Sequence, residues 1–279
     1  MATATFADRA RAQVAPRSFS LSLYLLIVFA LSWPFQIAFA IWGTTPLLGY
    51  TLSSLSMIMV TVGTFIAGRY VFKDGFARAG WRWGKPKHYL AVLGLALLVW
   101  AVPVAIEQVF NLNSPPVGIA TGGILMAFLL RFVLTLAPGF GEEFGWRGYM
   151  LRHLTERLNM RPALLLHAFI WWAWHLPALV GMASREDAVQ GNLAISIAVV
   201  LLVSLIPAMM HAVIFAYIWA STQSLAVTSV YHAAFDEVRD ALESSVGFGP
   251  LVNVWQMLVL TGLGAYLLLK AKWVDLMRQ

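Results

Sequence analysis

Apolar residues in this chain fall into eight blocks divided by short polar segments: Ser18–Trp42, Leu47–Val71, His88–Phe110, Ile124 to about Met150, Pro162–Val180, Leu193–Ala220, Ser221–Phe235 and Pro250–Leu269. A helix needs about 20 apolar residues to cross the hydrocarbon core of a bilayer. All but one of the blocks reach that length; Ser221–Phe235 is short and reads as tilted, buried among its neighbours or incomplete. The first block is too long for the core of a signal peptide and lacks a small-residue cleavage site, so it reads as a retained span, kinked at Pro34. The pattern predicts an all-α polytopic membrane bundle of about eight transmembrane helices. Residues 1–279 read as a single membrane-embedded domain, with the first three spans over 18–110, a core of polar motifs over 124–236 and a last span over 250–269.

Composition supports this. Hydrophobic residues make up 60% of the chain and charged residues 11%, where soluble domains run at about 45–50% and 25%; the mean hydropathy is +0.74. There is no cysteine, which excludes disulfides, thiolate metal sites and a cysteine nucleophile. The formal charge of +6 raises the question of nucleic acid, but the positions of the cations answer it differently. Lys and Arg cluster at 69–87, at 147–161 and after residue 269, whereas the intervening loops hold only Arg185 and Arg239 among several acids. Eight spans with both termini cytoplasmic satisfy the positive-inside rule at every loop, and the basic loops suit anionic lipid head groups. Trp42, Trp81, Trp83 and Trp273 near predicted boundaries fit interfacial belts.

Against this apolar background, Gly141-Glu142-Glu143-Phe144-Gly145-Trp146-Arg147-Gly148-Tyr149 stands out. Ionisable groups at membrane depth are expensive and ordinarily line a working cavity. On a helix Glu143 and Arg147 share a face and can pair, while Glu142 is turned about 100° away and is left free for other work. His175 lies in an otherwise apolar segment, and His232 and Asp236 are four residues apart on one helical face. His153, His167 and His211 read as packing or loop histidines, and Arg131 as a cation held by a partner such as Glu107 or by a helix end. A general base, a second proton carrier and donors for an oxyanion together make the inventory for amide hydrolysis by water. Ser204, Ser221, Ser224 and Ser229 have no glycine elbow or paired base. Zinc on His175, His232 and a glutamate remains open, although there is no His-Glu-x-x-His motif.

These residues resemble the CAAX-processing and bacteriocin-immunity proteases, the glutamate-dependent intramembrane endopeptidases that include the type II CAAX prenyl endopeptidases. The likeness rests on Glu142-Glu143-x-x-x-Arg147, an aromatic residue four before His175, and His232-x-x-x-Asp236, in that order. It implies that Glu142 activates a water with help from His175, that Glu143 and Arg147 brace the site, and that His232 and Asp236 stabilise an oxyanion. Trp146, Trp171 and Trp172 are expected to line the substrate cavity, with no cofactor required. There are two departures: Trp171 stands where the family often has phenylalanine, and Asp236 where many members have asparagine. An ionised Asp236 would repel an oxyanion, so it is either protonated by burial or accepts from His232 and fixes that ring as a donor; the second reading is preferred. The resemblance implies a membrane-associated or lipidated peptide substrate; the expected setting is a bacterial cytoplasmic membrane, with the site facing the cytoplasm. The alternatives are a zinc-dependent protease on the same residues and a non-catalytic immunity or scaffold protein. A small transporter is the weakest rival, because no duplicated half is visible.

Overall fold

In the computed structural model, residues 18–112, 121–185 and 192–277 are described, and they form an all-α membrane bundle. The helices are α1 (Leu21–Trp42), α2 (Pro46–Ile66), α3 (Pro86–Val109), α4 (Thr121–Glu143), α5 (Arg152–Thr155), α6 (Met160–Trp174), α7 (Leu176–Arg185), α8 (Leu193–Thr222), α9 (Leu225–Val246), α10 (Pro250–Lys270) and α11 (Trp273–Met277). Wider π turns extend α2 over Ala67–Val71 and join α4 to α5 over Phe144–Leu151. Among the described residues five helices are long and apolar enough to cross a membrane, or six if the bent pair α6–α7 counts as one span. The charges expected at Arg9, Arg11, Arg17, Glu186, Asp187 and Arg278 lie outside the described residues.

Three boundaries differ from the sequence reading for identifiable reasons. The short block Ser221–Phe235 is not a truncated span. Ser221 and Thr222 close α8, Gln223 turns the chain in a left-handed conformation, and Ser224 caps a 22-residue α9 that runs on to Val246. Hydropathy stopped at Phe235 because the acids and Arg239 that follow are pair-forming residues, not loop residues. The helix carrying the glutamates, read as one block to about Met150, is continuous through Pro138–Gly141 but departs from α geometry after Glu143. Trp273 is buried, donating its indole N–H to Leu267 O at 2.9 Å, so it packs inside the bundle and does not sit at the interface.

Glycines allow the central helices to approach. A Cβ on Gly145 would lie 2.4 Å from Val60 Cγ1, and one on Gly148 would lie 2.9 Å from Ala79 O. The π segment is wholly buried, and its freed carbonyls need partners there. Tyr24 supplies one, donating its hydroxyl to Gly145 O at 3.0 Å while receiving that of Thr64 at 2.9 Å. Glu107 is not a partner of Arg131; it accepts the backbone N–H groups of Gly249 and Val252 at 2.7 and 3.0 Å and so caps α10. The bundle therefore has a basic end, with residues 73–85, 152–159 and the start of α11. The opposite end carries the α1–α2 turn and the C-terminal part of α9.

Candidate active site

Glu142 and Glu143 end α4 and are 2% and 0% exposed. Glu143 Oε1 accepts from Arg147 Nη1 at 2.9 Å, the pair expected from their spacing. The Arg147 guanidinium lies over the rings of Phe215 and Trp171, 4.4 and 5.0 Å from their centroids, which holds a buried cation by its flat faces. The same Glu143 oxygen is 3.0 Å from His232 Nδ1. Helix α9 packs along α4 so closely that a Cβ on Gly139 would touch the His232 side chain at 3.4 Å. At the far side of the ring, His232 Nε2 faces Asp236 Oδ2 at 3.4 Å and Glu142 Oε2 at 3.9 Å.

Both nitrogens of His232 thus face carboxylate oxygens, an arrangement in which an imidazolium donates from each. Asp236 is placed as an acceptor, its Oδ1 taking an Arg239 N–H at 3.1 Å. At 3.4 Å the contact between His232 and Asp236 is longer than a good hydrogen bond, so this N–H can be drawn to another acceptor.

His175 joins the group through a bend. Its backbone N–H bonds to Trp172 O at 3.0 Å, three residues back, and Pro177 has no N–H to continue the ladder. The helix turns by 46° between α6 and α7. The tightened turn frees Trp171 O, which is 2.8 Å from His175 Nδ1. A carbonyl only accepts, so Nδ1 carries the proton and Nε2 presents a lone pair. The bend is locked against α1, because Trp33 donates to Trp174 O at 3.0 Å and Trp174 donates to Ser32 Oγ at 2.7 Å.

Trp171 ties the two halves together. Its indole N–H donates to Glu142 Oε1 at 2.6 Å, its carbonyl orients His175, and its ring meets the His175 ring edge-on at 4.6 Å. The indole is therefore more than an aromatic wall. The one sequence signal for this role was the tryptophan itself, in a position where phenylalanine would supply a ring without a donor. Trp146 is fully buried against Trp174, and Trp172 points to α8, where its N–H meets Ser204 Oγ at 3.1 Å. Neither indole makes a described contact with Glu142, Glu143 or His232. Of the other histidines, His211 meets the Tyr231 hydroxyl at 3.0 Å and His153 lies 3.2 Å from Asp74, as packing and loop residues do.

Residues 124–238 match a family model described as type II CAAX prenyl endopeptidase, Rce1-like. That segment is a CAAX protease domain. It holds Glu142, Glu143, Arg147, His175, His232 and Asp236. No curated protein matches the chain.

Among the described residues, Glu142, Glu143 and His232 are also placed so that they could hold a cation, with one donor atom from each lying within 4.8 Å of the others. The fit is poor. Glu143 Oε1 already meets two nitrogen donors, and Arg147 brings a permanent positive charge to the oxygen that a metal would need. His175, expected in a zinc set, lies outside this cluster with Nδ1 committed to the backbone.

Proposed function

We propose that this protein is a glutamate-dependent intramembrane endopeptidase that hydrolyses a peptide bond of a membrane-associated substrate without a metal. The observation that carries the reading is the attachment of Glu142. One of its oxygens is tied down by Trp171, and the other is turned towards His232 at a distance too long for a bond. A carboxylate held this way is oriented but not neutralised, as a general base must be.

In this mechanism Glu142 Oε2 takes a proton from a water, and the resulting hydroxide attacks the scissile carbonyl carbon. His175 Nε2 accepts the water's second hydrogen as a hydrogen bond and orients it. Charge builds on the carbonyl oxygen, which takes the His232 Nε2–H from its long contact with Asp236. Asp236 is thus not a direct oxyanion donor. It balances the imidazolium and aims the ring, which resolves the difficulty of placing a carboxylate beside an oxyanion. Collapse breaks the C–N bond, and the proton on Glu142 passes to the leaving amine, giving a free carboxylate and amine. Glu143 and Arg147 hold His232 from behind.

The test is incubation of the purified protein with a library of membrane peptides, followed by mass spectrometry. Paired new C- and N-termini should appear and persist under exhaustive chelation. Products that vanish with the chelator would replace this reading with a metal-dependent one. An unprocessed library would favour a binding protein of the same fold.

A further inference from the structure

A cavity of about 830 Å³ lies at the basic end of the bundle, between the loop that follows α2, helix α5, the α8–α9 turn and α11. That volume is within the usual range for ligand pockets. Its lining includes none of Glu142, Glu143, His175, His232 or Asp236, so it is separate from the candidate active site.

The loop on one side of it is fixed by three elements, each holding one of three consecutive carbonyls. Arg78 O accepts from Arg152 Nη1 of α5 at 2.9 Å, Ala79 O from the Trp219 indole of α8 at 2.9 Å, and Gly80 O from the Leu225 N–H of α9 at 2.8 Å. Gly80 has a φ of +99°, and a Cβ there would lie 2.6 Å from Trp219 Nε1, so only glycine seats the loop this closely. Side chains carried on a loop held in this way need less ordering when a ligand binds.

Those side chains are cationic. Arg78, Arg82 and Arg152 line the cavity against Glu156, the one acid among its described lining residues. Glu156 Oε1 takes Arg78 Nη2 at 2.8 Å and Arg152 Nε at 3.3 Å. Three guanidiniums less one carboxylate leave an excess of two positive charges. Burial first, and then the Arg78 charge, lower the pKa of Arg152, a crowding that an anion in the cavity relieves. Guanidinium forks match phosphate oxygens. The rest of the wall is a different chemistry: Trp81, Leu158 and Val274 are exposed apolar side chains, with Met277 beside them. A free phosphate uses none of that surface, whereas the glycerol and upper acyl chains of a lipid do. The positive-inside rule assigns this end to the cytoplasm, and the cytoplasmic leaflet is the anionic one, whose head groups collect in basic pockets.

We propose that this cavity binds one anionic phospholipid, with its phosphate on the arginines and its glycerol and upper chains against Trp81, Leu158 and α11. The proposal does not depend on the protease reading.

The full-length protein in detergent is titrated with phosphatidylglycerol, with phosphatidylcholine of the same chains, and with inorganic phosphate. Binding is read as a rise in melting temperature and as a lipid-bound peak in native mass spectrometry. Phosphatidylglycerol should bind one molecule per chain and raise the melting temperature by about 5 °C near saturation; the other two should do neither. Arg78→Gln combined with Arg82→Gln changes two exposed side chains and leaves the pinned carbonyls in place, so this protein should melt as wild type does without lipid. Its affinity for phosphatidylglycerol should fall at least about tenfold. Lys73→Gln combined with Lys87→Gln removes the same charge outside the cavity and should leave the affinity unchanged. Failure of phosphatidylglycerol to bind, equal binding of phosphatidylcholine, or a shift reproduced by phosphate would overturn the proposal. Equal weakening by both pairs of substitutions would also overturn it, because surface charge alone would then account for the binding.

Discussion

Replacing Trp171 by phenylalanine isolates a single hydrogen bond. The ring remains to face Arg147 and to meet His175, and the carbonyl that orients His175 belongs to the backbone and is untouched. What disappears is the indole N–H, 2.6 Å from Glu142 Oε1. Hydrogen bonds to charged groups contribute about 1.5–3 kcal/mol, and each 1.36 kcal/mol is a factor of ten in rate. If this bond holds the general base in its reactive position, Trp171→Phe should lower kcat by about 10- to 100-fold. KM should change less than threefold, because Trp171 touches the base and not a described substrate surface. The smaller ring also leaves a gap, so the melting temperature in detergent should be measured alongside. A kcat within twofold of wild type in a folded variant would refute the role assigned to Trp171. A loss confined to KM would move it to substrate binding.

Four other outcomes follow from the same geometry. Asp236→Asn keeps a polar partner for His232 and Arg239 and should retain kcat within about tenfold, whereas Asp236→Ala should lose about 100-fold or more, the loss of a charged partner; equal inactivation of both, in steady-state assays, would contradict the assignment. Gly145→Ala drives a methyl into Val60 and Thr64 and should destabilise by about 1–3 kcal/mol, read as a lower melting temperature, while Gly262→Ala, with nothing within 4 Å of its Cβ, should not. Glu107→Ala uncaps α10 and should cost about 1–2 kcal/mol in thermal unfolding, with kcat of the surviving folded protein unchanged. Exhaustive chelation should leave the rate of peptide cleavage within twofold, and recovery on adding zinc after a full loss would show the metal-free mechanism to be wrong.

Much of this protein is legible in its sequence because lipid permits few solutions. Apolar blocks mark the helices, and charges that survive between them mark the site: Glu142, Glu143, Arg147, His232 and Asp236 do meet. Hydropathy fails where a helix is buried by protein on its polar side. That is why α9 seems to end at Phe235, although paired acids and arginine carry it to Val246. It fails too at His175, because the bend arises from a proline two residues on and from a side chain that replaces a backbone donor. The donation from Trp171 to Glu142 links residues 29 positions apart, a tertiary contact that no local spacing encodes.

The most direct measurement is the turnover of Glu142→Gln beside wild type on one cleaved peptide, with melting temperatures recorded for both. General-base catalysis contributes about 10²–10⁴-fold. The variant should lose about 1,000-fold in kcat while melting within a few degrees of wild type. Turnover within tenfold of wild type would show that Glu142 is not the base.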